Sequence, residues 1–259
     1  MHPWAIFVEG LKGWRVNWLK LAGIYLLVYI PLTILDIASE LWVLKGTWPG
    51  LIQYTGSLFI HWVFDAFVMV SLILSAQGQL NSMVTTARDT MKEAIKFLWR
   101  YMLTTLLYSI IVGGFLLLAV TIVSVLVAFS TRAPVAAPVL LLAAIVIIAT
   151  VVAMVYCAIR LALAGVICIM EKIGPISSLK ISHSLIKKKV SPVVGVFFFI
   201  LLLSALLFMP GSLLDAFRDF SGLGKILLAA YQVFASSLMV PIWAFVVVIL
   251  YKKLKEVVE

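Results

Sequence analysis

The chain has 259 residues, of which 64% are apolar and 12% are charged. Its mean hydropathy of +1.18 excludes a soluble globular domain, because so few charged residues would not cover the surface of one. The net charge of +9 does not indicate nucleic-acid binding, because the basic residues flank apolar runs, where they face anionic lipid headgroups. The composition predicts an integral membrane protein.

The first 20 residues predict an interfacial helix. Phe7, Leu11, Trp14 and Trp18 recur at helical spacing, as in helices that lie at a membrane surface. No basic region leads directly into a short apolar stretch with a small-residue cleavage site, so we expect no removable signal peptide.

Six apolar stretches are long enough to cross a hydrocarbon core of about 30 Å, which needs about 20 helical residues. Because unpaired backbone groups are costly in lipid, we predict helices rather than strands. The stretches cover approximately residues 21–41, 56–80, 103–129, 137–160, 193–214 and 226–251. The predicted fold class is an all-α, single-domain membrane bundle of six transmembrane helices with amphipathic interfacial elbow helices.

Lysine and arginine are concentrated in every second connection. The N-terminal segment, the second and fourth connections and the C-terminal tail carry most of the 20 basic residues. The opposite connections carry only Lys45, Arg132, Arg218 and Lys225. Basic residues near membrane helices stay preferentially in the cytoplasm. We therefore predict a multi-pass cell-membrane protein with both termini in the cytoplasm.

Two basic connections share a plan that predicts an internal repeat. Residues 83–100 and 171–190 are each a short amphipathic basic segment followed by a long apolar helix. Such helices lie in the headgroup plane, where they anchor the next span or bind anionic lipid headgroups or a partner protein. The candidate contact residues are Arg88, Lys92, Lys96, Glu171, Lys187, Lys188 and Lys189.

The second elbow carries a recognisable order of residues: Arg160 in an apolar helix, then Glu171, Gly174-Pro175, Ser182 and a basic end before the next span. This order resembles the signature of the YciC-like and glycerophosphoryl diester phosphodiesterase membrane-domain group, over about residues 85–208. The resemblance implies a polytopic helical protein of a group whose functions are mostly unassigned. Some members are fused to a soluble phosphodiesterase, for which this chain has no room, so the resemblance implies topology and not that activity.

The same segment predicts a helix boundary on physical grounds. Pro175 disfavours helical geometry at Gly174, so the helix that begins near Ala137 is expected to end there. Ser177 and Ser178 are then expected to help cap the next helix.

Two charges near this boundary need partners elsewhere. Arg160 and Glu171 are eleven residues apart, too far to pair along a straight helix. We expect each to contact the neighbouring repeat, with Arg160 near Asp89 or Glu93.

Ionisable residues inside spans are candidates for a functional site. Asp36 and Glu40 fall on the first span, His61 and Asp65 on the second and Arg160 on the fourth. His61 and Asp65 share a helix face because they are four residues apart. The candidate intramembrane polar site is Asp36, His61, Asp65 and Arg160, with structural polar contacts as the alternative interpretation.

No motif indicates a cofactor or a metal. Cys157 and Cys168 are too far apart on one helix for a disulfide and are expected to be free buried thiols. The chain has no Cys/His cluster with zinc-ligand spacing, no second intramembrane histidine for a haem, and no nucleotide-binding or hydrolase signature. Small residues at Gly113-Gly114 and Gly195 are expected to permit close helix packing.

These features favour a non-enzymatic membrane protein that acts as an accessory or scaffold subunit of a larger complex. Its expected partners are the bilayer, anionic headgroups on the cytoplasmic side, and other membrane proteins or a second copy of the chain. The alternative is a small-solute or lipid transporter that uses the intramembrane Asp, His and Arg residues.

Overall fold

A computed structural model describes residues 2–43, 50–83, 86–130, 136–215 and 222–258 of the chain. Its side chains are described at 2–34, 56–83, 86–125, 128, 141–212 and 227–257. The described residues form helices without a strand, which confirms the all-α prediction. The helices are α1 (Pro3–Val16), α2 (Trp18–Val43), α3 (Gly50–Leu80), α4 (Ala87–Ser130), α5 (Ala136–Leu161), α6 (Ala164–Met170), α7 (Pro175–Lys187), α8 (Val190–Asp215) and α9 (Gly222–Val258).

Several of these helices are long and apolar enough to cross a membrane. Five such spans lie within the described residues: one each in α3, α4, α8 and α9, and one that runs through α5 and α6. Helices α1 and α2 pass the same test as a pair bent by 78°. The predicted membrane bundle is thus confirmed, with five spans or six when the bent pair is included.

The last helix, α9, is the centre of the bundle. In its most apolar stretch 67% of the residues are buried inside the protein. Every side chain from Ala244 to Tyr251 is buried, and α1, α2, α3 and α8 pack around the helix. A helix that is apolar on all sides has no face for water, and here it is covered by other helices of the same chain.

The α4–α5 hairpin lies at the periphery. In the most apolar stretch of each of its two spans only 6% of the residues are buried. The two helices pack against each other, and Leu116 and Val120 of α4 and Ile147 and Val151 of α5 line an open apolar groove between their outer parts. The rest of their apolar surface points outward, which is how helices surrounded by lipid or by other membrane helices are built.

One end of the bundle, here called the basic end, comprises residues 2–20, 81–100, 171–189 and 252–258. The contacts that join these four segments are Lys253 with Glu9, Lys252 with Asn81, Lys255 with Glu171, and Arg100 with the backbone carbonyl of Lys172. The segments that we predicted to share one side of the membrane therefore meet in space. The first and last described residues, His2 and Val258, belong to this end of the bundle.

The basic segments differ in how they join their spans. Helix α1 is separated from α2 at Asn17, and α7 from α8 at residues 188–189. Residues 87–100 of the predicted elbow at 83–100 instead form the first turns of α4, a helix of 44 residues without a break. They continue directly into the span because the sequence from Ala87 to Tyr101 contains no glycine or proline that would end the helix. The elbow plan is shared by α1–α2 and α7–α8.

Close helix contacts occur at glycines, although mostly not at those predicted. A Cβ atom on Gly195 would lie 2.6 Å from Pro3 of α1, which confirms the prediction for this residue. Nothing lies within 4 Å of the corresponding positions at Gly113 and Gly114, so close packing is not found there. The tightest approach is at Gly10, where α1 meets Val246 of α9.

Candidate functional site

Arg160 is the only charged side chain that is buried among the described residues, with an exposed fraction of 7%. It lies in the last turn of α5, its guanidinium carbon is 4.7 Å from the ring centre of Tyr156, and its Nη2 donates to the Tyr156 hydroxyl. Its Nη1 lies 3.4 Å from the carbonyl oxygen of His183, to which it donates, and its Nε has no partner. The expected contact with Asp89 or Glu93 is wrong, because α7 packs against this end of α5 and supplies a backbone carbonyl instead.

The contact between α5 and α7 is reciprocal. The Ser182 hydroxyl donates to the carbonyl oxygen of Arg160 at 2.9 Å, and Ser182 is fully buried. A serine inside α7 therefore satisfies a carbonyl at the end of α5 that has no partner within its own helix. Arg160 and Ser182 together attach α7 to α5.

The predicted caps of α7 are not found. The helix begins at Pro175, before both serines, and its first residue is preceded by Gly174 without a side-chain cap. The Ser178 hydroxyl donates back to the Pro175 carbonyl at 2.7 Å. The prediction that Ser177 and Ser178 cap the helix is wrong, because proline at the first helical position already removes one unsatisfied donor.

Glu171 ties the turn between α6 and α7 to the end of α9. Its Oε1 accepts a hydrogen bond from Lys255 Nζ at 2.6 Å and one from the Tyr251 hydroxyl. These bonds from Lys255 and Tyr251 lower the pKa of the Glu171 carboxyl below its ordinary value. Glu171 therefore contacts the tail of the chain and not the neighbouring basic segment that we expected.

The helix that leads to this turn has a break that the sequence did not predict. Helix α5 ends at Leu161 and α6 begins at Ala164. A cavity of about 210 Å³ lies beside the break, between α3, α4, α8 and α9. Its walls include Tyr101, Thr104, Thr105, Tyr108, Gly165, Phe197 and Trp243. A Cβ atom on Gly165 would lie 2.7 Å from the Tyr101 ring, so glycine is needed where α6 approaches α4.

Among the described side chains of the predicted intramembrane polar site, Asp65 and Arg160 do not pair with each other. Asp65 lies at the middle of α3 with an exposed side chain, about 22 Å along the helix from its end at Leu80. Arg160 lies at the basic end and forms no ion pair with Asp65 or any other described carboxylate. His61 is half-buried on α3. The side chains of Asp36 and Glu40 lie outside the described residues, as do those of the opposite basic residues, Lys45, Arg132, Arg218 and Lys225.

The basic end carries a surplus of positive charge. Only two of its acidic residues, Glu9 and Glu171, form ion pairs with described cations. The predicted contact residues without a carboxylate partner in the described part of the chain are Arg88, Lys92, Lys96, Lys187, Lys188 and Lys189. Such a surface attracts anionic headgroups.

Two pairs of side chains in this site could have been predicted from their spacing in the sequence. Tyr156 and Arg160, like Tyr251 and Lys255, are four residues apart and so share a helix face. Their acceptors, the His183 carbonyl and Glu171, come from distant segments. No spacing rule predicts those pairings.

The cysteines and the possible metal ligands of the described residues lie apart from one another. No group of three or more His, Cys, Asp or Glu residues there is arranged to hold a metal ion. Cys157 and Cys168 are free, as predicted; Cys168 is buried and Cys157 is half-buried.

No protein-family model, no curated protein and no solved structure matches this chain. The resemblance to the YciC-like group therefore stays a prediction.

Proposed function

We propose that this integral membrane protein is a non-enzymatic accessory or scaffold subunit of a larger membrane assembly. The observation that carries the proposal is the α4–α5 hairpin, in which only 6% of the most apolar residues of each span are buried. Helices associate in lipid through close van der Waals packing. The outer part of the hairpin adds little to its own bundle and is left for contact with helices of a partner.

Three of the buried hydroxyl groups of the spans support a structural role. Ser71, Thr104 and Ser237 are buried, and each hydroxyl donates to a backbone carbonyl of its own helix. Groups satisfied in this way do not need a solute. They are typical of hydroxyls in membrane helices.

The orientation belongs to the same proposal. The surplus of Lys and Arg at the basic end favours the cytoplasmic side of the cell membrane, where anionic headgroups are its partners. A cysteine introduced at Lys187, in a variant whose own cysteines are replaced by serine, should resist an impermeant thiol reagent in intact cells and react after lysis. Labelling from outside would reverse the orientation.

A photocrosslinking amino acid on the hairpin tests the scaffold role. Leu117 of α4 is 71% exposed, and Leu202 of α8, which is 49% exposed, is the matched control on another span. Position 117 should give a discrete crosslinked product with one partner protein in cells, and position 202 should give a weaker one or none. Diffuse or equal products at both positions would contradict the proposal.

A transporter is the second candidate, and the helix break beside the cavity favours it. Interrupted helices line the substrate sites of many transporters. Replacement of Asp65 by Asn should then abolish proton-coupled uptake in vesicles while the complex still assembles. If the protein is a scaffold, Asp65→Asn leaves partner binding unchanged, and vesicles with the variant show the same uptake as vesicles with the natural chain.

A further inference from the structure

We infer that the angle between α4 and the turn at residues 171–174 binds one anionic phospholipid. Its phosphate lies on Arg100 and Lys172, and one of its acyl chains occupies the cavity beside the α5–α6 break. This inference goes beyond the proposed scaffold role and does not depend on it.

The two cations are held together by the backbone. Arg100 Nη1 donates to the carbonyl oxygen of Lys172 at 3.0 Å. Lys172 has a φ of 55°, in the left-handed region that a side chain rarely adopts, and its Nζ lies 5.9 Å from the ring centre of Phe97. Strained backbone of this kind often marks a functional site. The turn thus attaches the backbone of Lys172 to Arg100 and places the Lys172 ammonium near Phe97, three residues before Arg100 on α4.

Neither cation is neutralised within the described part of the protein. The nearby basic residues Lys253 and Lys255 pair with Glu9 and Glu171, whereas Arg100 and Lys172 form no ion pair with a described carboxylate. The Arg100 contact uses one of the five N–H donors of a guanidinium. The remaining donors suit a phosphate, which guanidinium groups bind in a bidentate manner.

The cavity lies directly along the same two helices. Thr104 and Tyr108, in its wall, follow Arg100 by four and eight residues, which places them about 6 and 12 Å further along α4 on nearly one face. On the other side, Gly165 precedes Lys172 by seven residues, about 10 Å along α6 if the helical rise continues. The proposed phosphate position therefore lies about 6 to 12 Å from the cavity wall along α4 and about 10 Å from it along α6.

The cavity suits a hydrocarbon chain. Its volume of about 210 Å³ exceeds the volume of about 150 Å³ at which an apolar cavity in another protein stays dry and binds benzene. Tyr108, Ala162, Phe197 and Trp243 in its wall are only half-buried, so it is not sealed. These residues lie on membrane spans, so in the proposed complex the acyl chain enters the cavity from the bilayer. A phosphate site at the surface joined to an apolar cavity in the bilayer fits a phospholipid rather than a free phosphate.

The test uses the full chain, purified and delipidated in a neutral detergent, with binding measured by native mass spectrometry. The probes are phosphatidylglycerol, phosphatidylcholine of the same chain length, and glycerol phosphate. The double variant Arg100→Gln/Lys172→Gln is compared with Lys188→Gln/Lys189→Gln, which removes the same charge from the same end. We expect a preference for phosphatidylglycerol that falls about tenfold or more in the first variant and less than threefold in the second.

A second variant tests the acyl chain and keeps the inference falsifiable if the double variant does not fold. Ala162→Phe fills the cavity without changing charge, and should lower phosphatidylglycerol binding while phosphatidylcholine remains weak. Equal losses in the two charge variants would show a diffuse electrostatic surface and overturn the inference. Competition by glycerol phosphate at the same concentration as the lipid, or full binding in Ala162→Phe, would overturn the role of the cavity.

Discussion

Helix α9 and the α4–α5 hairpin are both strongly apolar, yet α9 is mostly buried in the bundle and the hairpin spans are mostly exposed. The most apolar stretches have mean hydropathies of 2.5 in α9 and of 2.6 and 2.8 in the hairpin spans, but their buried shares are 67% and 6%. Hydropathy therefore does not decide which helix becomes the core. In a membrane, lipid and protein offer an apolar side chain nearly the same environment, so shape and close packing decide instead.

The contact surface of α9 shows what close packing requires. Gly10 and Gly13 of α1 face Val246 and Phe245 of α9, and a Cβ atom on either glycine would meet the α9 residue at or within 3.0 Å. The hairpin has glycines too, but Gly113 and Gly114 face nothing within 4 Å. Core and periphery differ in whether small residues on one helix meet large ones on another.

The largest expected effect is in the core. Phe245→Ala removes a fully buried ring and should lower the free energy of unfolding in detergent by about 3–5 kcal/mol. Leu117→Ala, at an exposed hairpin position, should change it by about 0.5 kcal/mol or less. Denaturation in a titrated detergent mixture measures both. Similar losses in the two variants would show that the hairpin is part of the core.

A smaller effect is expected at the glycines. Gly10→Ala places a methyl group against Val246 backbone and side chain, and should cost about 1–3 kcal/mol because α1 must move away from α9. Gly114→Ala meets nothing within 4 Å and should be neutral or stabilising by up to about 1 kcal/mol, because alanine favours the helix. The same unfolding measurement applies. A destabilised Gly114→Ala would indicate that the hairpin packs more tightly than described.

The smallest effect concerns the tie from Glu171 to α9. The bond from Lys255 lowers the pKa of the Glu171 carboxyl, so its stabilisation is present above the ordinary pKa and is lost as pH falls through the lower folded value. Because both side chains are partly exposed, Glu171→Gln should cost about 1 kcal/mol or less at neutral pH. Stability measured against pH should show a smaller acid loss in this variant than in the natural chain.

Glu93→Gln is the control for that pH series. Glu93 is exposed at the same end and forms no described ion pair. Its replacement should leave the stability and its acid dependence nearly unchanged. If both variants shift the acid loss equally, general charge at the basic end would be the cause and not the tie to Lys255.

The sequence was a good guide to the helices and a poor one to their contacts. The predicted helix end at Leu80 and the predicted boundary at Gly174-Pro175 agree with α3 and α7, because apolar length and proline act locally. The break after Leu161 was missed, since Ala162 and Leu163 are ordinary helix residues. The predicted partner of Arg160 was wrong for a related reason. The observed partner is the backbone carbonyl of His183, and because every residue has such a carbonyl, composition and spacing do not indicate it.

Length, hydropathy and the distribution of basic residues were enough to predict an all-helical membrane bundle, and they grouped the four basic segments on one side. These properties are local or additive along the chain, so they can be read without coordinates. Only the tertiary structure decided that α9 is central, that the α4–α5 hairpin is peripheral, and that Arg100, Lys172 and a cavity adjoin. Those arrangements depend on which surfaces fit together, and in lipid that fit is a property of pairs of helices rather than of any one sequence segment.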